Sequence, residues 1–156
     1  MRLPCTAYLY SILIFSALTN SAIALSPAPE LKLKSTLGDV TTYELTGKDI
    51  EVNSMASELK YEDLTEKDLK ELDSLVKAKQ EYGKMFGFAD WKATGQKLLE
   101  KNGERIVLIQ GNYKNAEKKT VNFVEVYWAN KEKSGQYLIT SDSIALKLDQ
   151  YSDYLK

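Results

Sequence analysis

The chain has no histidine, and its single cysteine, Cys5, stands at the fifth position. Serine–histidine and cysteine–histidine catalysis needs side chains that the rest of the chain does not contain. Zinc and haem sites built on the same ligands are excluded with it. Arginine is almost as scarce, with Arg105 the only one after Arg2. Bidentate phosphate recognition depends on guanidinium groups, and nucleic-acid binding on a basic excess, so a net charge of −1 implies no nucleic-acid partner. No Asp-x-Asp-x-Asp-Gly loop organises the acidic residues between Glu58 and Asp73, which alternate with lysines as a solvated face does. No metal and no cofactor is expected. The chain also lacks an Asn-x-Ser/Thr acceptor, which leans toward a bacterial periplasm.

Long apolar runs are missing too, apart from Ala7 to Leu18. About 12 residues of helix reach only about 18 Å, short of a hydrocarbon core of about 30 Å. The run follows Arg2 and precedes Ala22-Ile23-Ala24, a small-x-small site, so Met1 to Ala24 reads as a secretory signal peptide cut before Leu25. The product is expected to be periplasmic or secreted, with no stable membrane anchor after cleavage. Cys5 precedes the apolar run and is removed with it, so it takes no lipid. Of the 21 basic and 22 acidic residues only Arg2 lies in the leader, which leaves 20 against 22 in a product of 132 residues. Without cysteine that product must fold on its core alone, and its length suits one domain.

Ser26 to Glu30, with Pro27 and Pro29, reads as a short extended lead-in, a poorly ordered spacer before a domain over residues 31–156. Leu31-Lys32-Leu33-Lys34-Ser35 alternates at the strand period, Gly38-Asp39 marks a turn, Val40 to Thr46 is rich in strand formers, and Ile50-Glu51-Val52 follows another break at Gly47-Lys48. Thr65-Glu66-Lys67-Asp68 is a capping box that opens a helix running to Gly83. A second helix is expected from Asp90 to Asn102, with Trp91, Leu98 and Leu99 inward and Gly103 closing it. From Arg105 the pattern changes to three strands, Ile106 to Ile109, Thr120 to Trp128 and Tyr137 to Thr140. Ser141 or Asp142 then caps a terminal helix whose Ile144, Leu148, Tyr151 and Leu155 form an apolar stripe.

The fold class expected is therefore α+β, a curved antiparallel sheet with helices packed on one face. In its order of elements, helices followed by an antiparallel meander, the chain resembles the cystatin-like and NTF2-like folds, which implies a pocket between the curved sheet and its helices. The strand Thr120 to Trp128 carries apolar residues on both faces, with Val121, Phe123 and Tyr127 on one and Val124, Val126 and Trp128 on the other. Either the sheet wraps a pocket, its second face meets a partner, or another segment of the chain covers it.

Three kinds of function remain open. The leading one is a soluble, exported, non-enzymatic domain that binds an envelope protein or a small apolar ligand through the aromatic residues of the meander, Trp128, Tyr137, Tyr113 and Tyr127, whose rings join an apolar body to a polar tip. The alternative is a small hydrolase or isomerase in which Glu125, interrupting an apolar strand, works with Asp142 as a second carboxylate. A pairing of Glu125 with Arg105 or a neighbouring lysine would leave it merely structural. The third is a secreted effector or inhibitor. Two Ser-x-x-Lys spacings, Ser57 to Lys60 and Ser74 to Lys77, lack the partner motifs of a serine–lysine hydrolase and follow from abundance.

Overall fold

A computed structural model describes residues 25–65, 81 and 88–156. Strand β1, Leu31–Leu37, turns at Gly38 into β2, Val40–Leu45, and β3 follows at Glu51–Met55. Gly38 has φ of 57°, a conformation that glycine adopts without a steric penalty. Strands β4, Ala89–Lys101, and β5, Glu104–Lys114, meet at Asn102-Gly103, whose φ values of 54° and 77° are those of a two-residue hairpin turn. Strands β6, Thr120–Ala129, and β7, Ser134–Ser141, complete the sheet. Its order is β1-β2-β3-β7-β6-β5-β4, with every neighbouring pair antiparallel. Two meanders, β1–β3 and β4–β7, are thus joined where β3 lies along β7.

This architecture corrects the expected α+β class. Among the described residues, one seven-stranded sheet is accompanied by a short helix, α1, Tyr151–Tyr154, entered directly from the 3-10 turn Leu148–Gln150, by a second 3-10 turn, Tyr61–Asp63, and by the helical residue Glu81. Among the described residues no layer of helices packs on a face, and the order of elements behind the cystatin-like and NTF2-like resemblance is absent. The segment expected as a second helix is β4. Its Leu98 and Leu99 go to opposite faces of the sheet, each into a separate apolar cluster, and Gly103 serves a hairpin in place of a helix end. Pairing along the whole of β5 overrides a local helical pattern that contained Gly95 and Thr94. Of the helix expected from Thr65 to Gly83, residues 66–80, 82 and 83 lie outside the described residues, and Glu81 is helical.

The C-terminal stripe does dock, but not as one helix. Ile144, Leu148, Tyr151 and Leu155 all pack on the sheet, and Leu146, off the stripe, is also buried. Lys147, at φ −115° and ψ 154°, is extended and breaks any continuous helix there. Residues 25–30 do not behave as a free spacer. Ser26 and Lys156 exchange two backbone hydrogen bonds of 2.9 Å, the Ala28 N–H donates to the Tyr154 carbonyl at 2.8 Å, and Ala28 is buried. The prolines leave those donors free to pair, and the extended conformation they favour suits a strand partner.

The double-sided apolar pattern of β6 is visible in the packing. On one face Val124, Val126 and Trp128 join Val52, Ile106, Leu108 and Ile139 beneath the C-terminal segment and residues 25–28. On the other, Phe123, Tyr127 and Ala129 join Val107 and Ile109, with Leu59, Tyr61 and Leu64 packed against them. Arg105 belongs to this second side as a structural clamp. Its guanidinium lies 4.2 Å from the Tyr61 ring centroid, donates to the Tyr61 carbonyl at 3.2 Å and pairs with Glu100 at 3.5 Å.

Candidate functional site

The residues expected to form one aromatic surface are divided by the sheet. Trp128 and Tyr137 lie in the first core, 5% and 7% exposed. Trp128 faces Gly135 across the ladder, so close that a Cβ on Gly135 would stand 2.5 Å from the indole Nε1. The Tyr137 hydroxyl donates to the Leu25 carbonyl at 2.7 Å, and burial raises its pKa. Tyr127 and Tyr113 lie on the other face. Tyr113 stacks on Trp91 with centroids 4.3 Å apart, and Phe123 tilts against both. The strand period of two separates these rings, so they cannot share a ligand.

Glu125 and Asp142 are not brought together either. Glu125 is opposite Leu138 in the ladder, four residues before Asp142, which is about 13 Å of strand. Glu125 is buried, and its Oε1 accepts from the Tyr127 hydroxyl at 2.7 Å and from Gln136 Nε2 at 2.6 Å. Burial and the neighbouring Glu125 charge push the Tyr127 hydroxyl far above the usual phenol range. This is a hydrogen-bonded structural group inside a core.

Asp142 instead meets Asp49, a residue that the sequence pattern did not single out. One oxygen of Asp49, Oδ2, accepts from the Ser141 hydroxyl at 2.9 Å, the Asp142 N–H at 2.8 Å, and the Ser143 N–H and hydroxyl at 2.9 Å each. A hydrogen bond from the Asp142 carboxyl, followed by those of the serines, holds Asp49 well below the usual carboxylate range, and the same bond and the Asp49 charge raise Asp142. The fold therefore favours a charged Asp49, whose contribution fades as pH falls, and a protonated Asp142, whose ionisation opposes folding at neutral pH. Asp142→Asn is accordingly expected to melt at a higher temperature than the native chain near pH 7, with the two curves converging below about pH 3. Thermal melts at the two pH values check it, and a lower melting temperature at neutral pH would contradict the shared proton.

The surface that remains is the edge at β1. Leu33 and Leu37 are 64% and 84% exposed, the large exposed apolar side chains among the described residues. Strand β1 ends the sheet order, and along its outer rim only the Leu31 N–H finds a described backbone partner outside the ladder, the Ala28 carbonyl at 2.9 Å. The ladder slips by one residue between Leu33 and Ser35, so Lys34 bulges outward, pairing with Glu51 and, at 3.8 Å, with Glu44. After the bulge the faces exchange. Leu33 sits opposite Tyr43 on the first face, and Leu37 opposite Val40 on the second. At the start of β1 a cleft of about 350 Å³ opens, lined by Ala28, Leu31, Leu45 and Tyr154 with Lys48 and Asp153 at its polar side.

The opposite edge, β4, is less open to pairing. Its ladder slips twice, and Leu148 of the C-terminal segment packs against it at Gly95. The alternation Leu31 to Ser35 marks β1 as a strand, but edge position follows from β3 choosing β7, a pairing between residues far apart in sequence that no local pattern encodes. Among the described residues no acidic, histidine or cysteine cluster is arranged to hold a metal ion, and no helix is long and apolar enough to cross a membrane. No family model, no curated protein and no solved structure matches this chain.

Proposed function

We propose that this is an exported, non-enzymatic binding domain that takes an extended segment of another envelope or secreted protein as an added strand on β1. The carrying observation is the edge itself, where main-chain groups without a partner among the described residues run beside Leu33 and Leu37. Strand addition draws affinity from main-chain hydrogen bonds and specificity from pockets for alternate side chains. The cleft between Leu31, Leu45 and Tyr154 supplies such a pocket at one end of the strand. Lys32 and Lys34 discourage indiscriminate pairing and leave the contact selective. The carboxylate enzyme loses support because Glu125 is engaged in the core and lies apart from Asp142.

The pair Leu33→Asp and Leu37→Asp tests this reading. Both side chains are exposed, so stability should stay within about 0.5 kcal/mol of the native value in urea titration. A photo-crosslinker placed at Thr36 should capture a protein partner from the native envelope. Capture should fall at least about tenfold in the double variant, as expected when central apolar contacts are lost. A crosslinker at Lys118, in the turn between β5 and β6, should not capture it. Equal capture at both positions, or undiminished capture by the double variant, would remove the edge from the function.

A further inference from the structure

A second cavity, of about 290 Å³, lies between the β4–β5 turn and the C-terminal segment, with Ile106, Tyr151, Leu155 and Leu25 among its walls. Glu104 also lines it. This residue is 7% exposed, and its Oε1 has no hydrogen-bond partner among the described residues. Asn130 is close enough to lower the Glu104 pKa, yet its Nδ2 also lacks a partner, so the contact falls short of hydrogen-bond geometry. Desolvation outweighs it and raises the carboxyl. Two cations, Lys101 and Lys156, share the cavity wall. Neither forms an ion pair with Glu104 among the described residues, and the Lys156 ammonium donates instead to the Ser152 carbonyl at 2.9 Å. A carboxylate oxygen removed from water without a donor is destabilising, so Oε1 marks the place of a missing partner.

The position of Leu25 indicates which partner. Its carbonyl is anchored by the Tyr137 hydroxyl at 2.7 Å, and the next residue, Ser26, is locked to Lys156 by two backbone bonds. Its nitrogen, two covalent bonds from that anchored carbonyl carbon, is therefore restrained beside the cavity. The leader motif sets the cut at this same nitrogen. Hydrolysis of the Ala24–Leu25 bond consumes one water, leaves a carboxylate on Ala24 and an amine on Leu25, and that amine is protonated at neutral pH.

We propose that Glu104 is the receptor for the chain's own processed N-terminus, and that the α-ammonium of Leu25, freed by removal of the leader, fills the cavity and pairs with it. The inference rests on the export reading for the cut, and on the cavity for everything after it. Before processing the core holds an unsatisfied acid at this end; afterwards the same acid ties the N-terminal segment to the sheet. Tyr151 and Asn130 face the pair with neutral groups, while Lys101 and Lys156 face it with like charge for the amine. Glu104 is the acidic side chain among the described residues that line this cavity. Because an amine paired in the folded state has a raised pKa, its stabilisation is present below the unfolded value of about 7.7–8.0 and disappears as pH rises through the folded one.

The full-length chain is expressed in a secreting bacterial host, and the exported product is weighed by intact mass spectrometry. Its α-amine is then ¹³C-methylated and titrated by NMR, in the native protein, in Glu104→Gln and in Glu104→Asp. The expected result is a product beginning at Leu25 whose amine pKa is raised by about one unit or more, falls to the ordinary range in Glu104→Gln, and is intermediate in Glu104→Asp. The aspartate variant carries the test if the glutamine variant does not fold. A product cut at another bond overturns this inference and leaves export standing. A product beginning at Leu25 with the same amine pKa in all three proteins overturns it as well. An uncut chain overturns both this inference and the export reading.

Discussion

Gly111→Ala is expected to leave the chain unable to fold stably. The added Cβ would stand 2.0 Å from the Lys92 carbonyl oxygen and 2.7 Å from the Phe123 ring. The first obstacle is backbone, fixed by the pairing of Lys92 with Asn112 and Ala93 with Gly111, so it cannot rotate away as a side chain would. Overpacking usually costs about 1–3 kcal/mol when side chains can yield. Here the strand itself must shift, and a cost above about 3 kcal/mol consumes much of the 5–15 kcal/mol that holds a typical domain together. Urea denaturation checks it: a midpoint that moves by less than the equivalent of 1 kcal/mol would show that β4 is not held against β5 at this position. Gly135→Ala should be milder, because the nearest obstacle is the Trp128 indole.

Trp128→Ala comes second. The indole is buried in the first core beside Ile106 and above Gly135, and truncating a buried tryptophan costs about 3–5 kcal/mol. Read from the sequence, Trp128 belongs to a ligand or partner surface, a role in which its loss acts first on binding. The packing predicts the reverse order of effects, with a large fall in the denaturation midpoint and any loss of binding following from unfolding. An unchanged midpoint would place the indole outside the core. The β1 contact provides the contrast, since Leu33→Asp and Leu37→Asp should change capture of a partner without moving that midpoint.

What was legible in the sequence follows from the range of the forces involved. The hairpin of β1 and β2 is written in Leu31 to Ser35 and in Gly38, because alternation and a positive φ are local requirements. The meander of β5, β6 and β7 was equally legible, as was the double-sided apolar character of β6. The segment of β4 reads as a helix in the sequence because Trp91, Leu98 and Leu99 also fit a helical face, and only the ladder to β5 decides between the two. The site was harder. An aromatic residue signals that a ring will be placed somewhere, but Trp128 and Tyr127, adjacent in the chain, belong to opposite cores. Glu125 stood out correctly as a polar residue in an apolar strand, yet its partner, Gln136, comes from β7. Asp49, Glu104 and the edge position of β1 acquire their meaning only from segments remote in the chain.

The clasp between residues 26–28 and 154–156 sets a clock on synthesis. Ser26 and Lys156 are 130 positions apart, so at 5–20 residues per second the first jaw waits roughly 7 to 26 s for the second to be made. Throughout that interval Ala28 lacks the cover it has in the finished molecule, and the first core lacks its C-terminal lid. A growing chain of this design stays open at this clasp until residues 154–156 have been made.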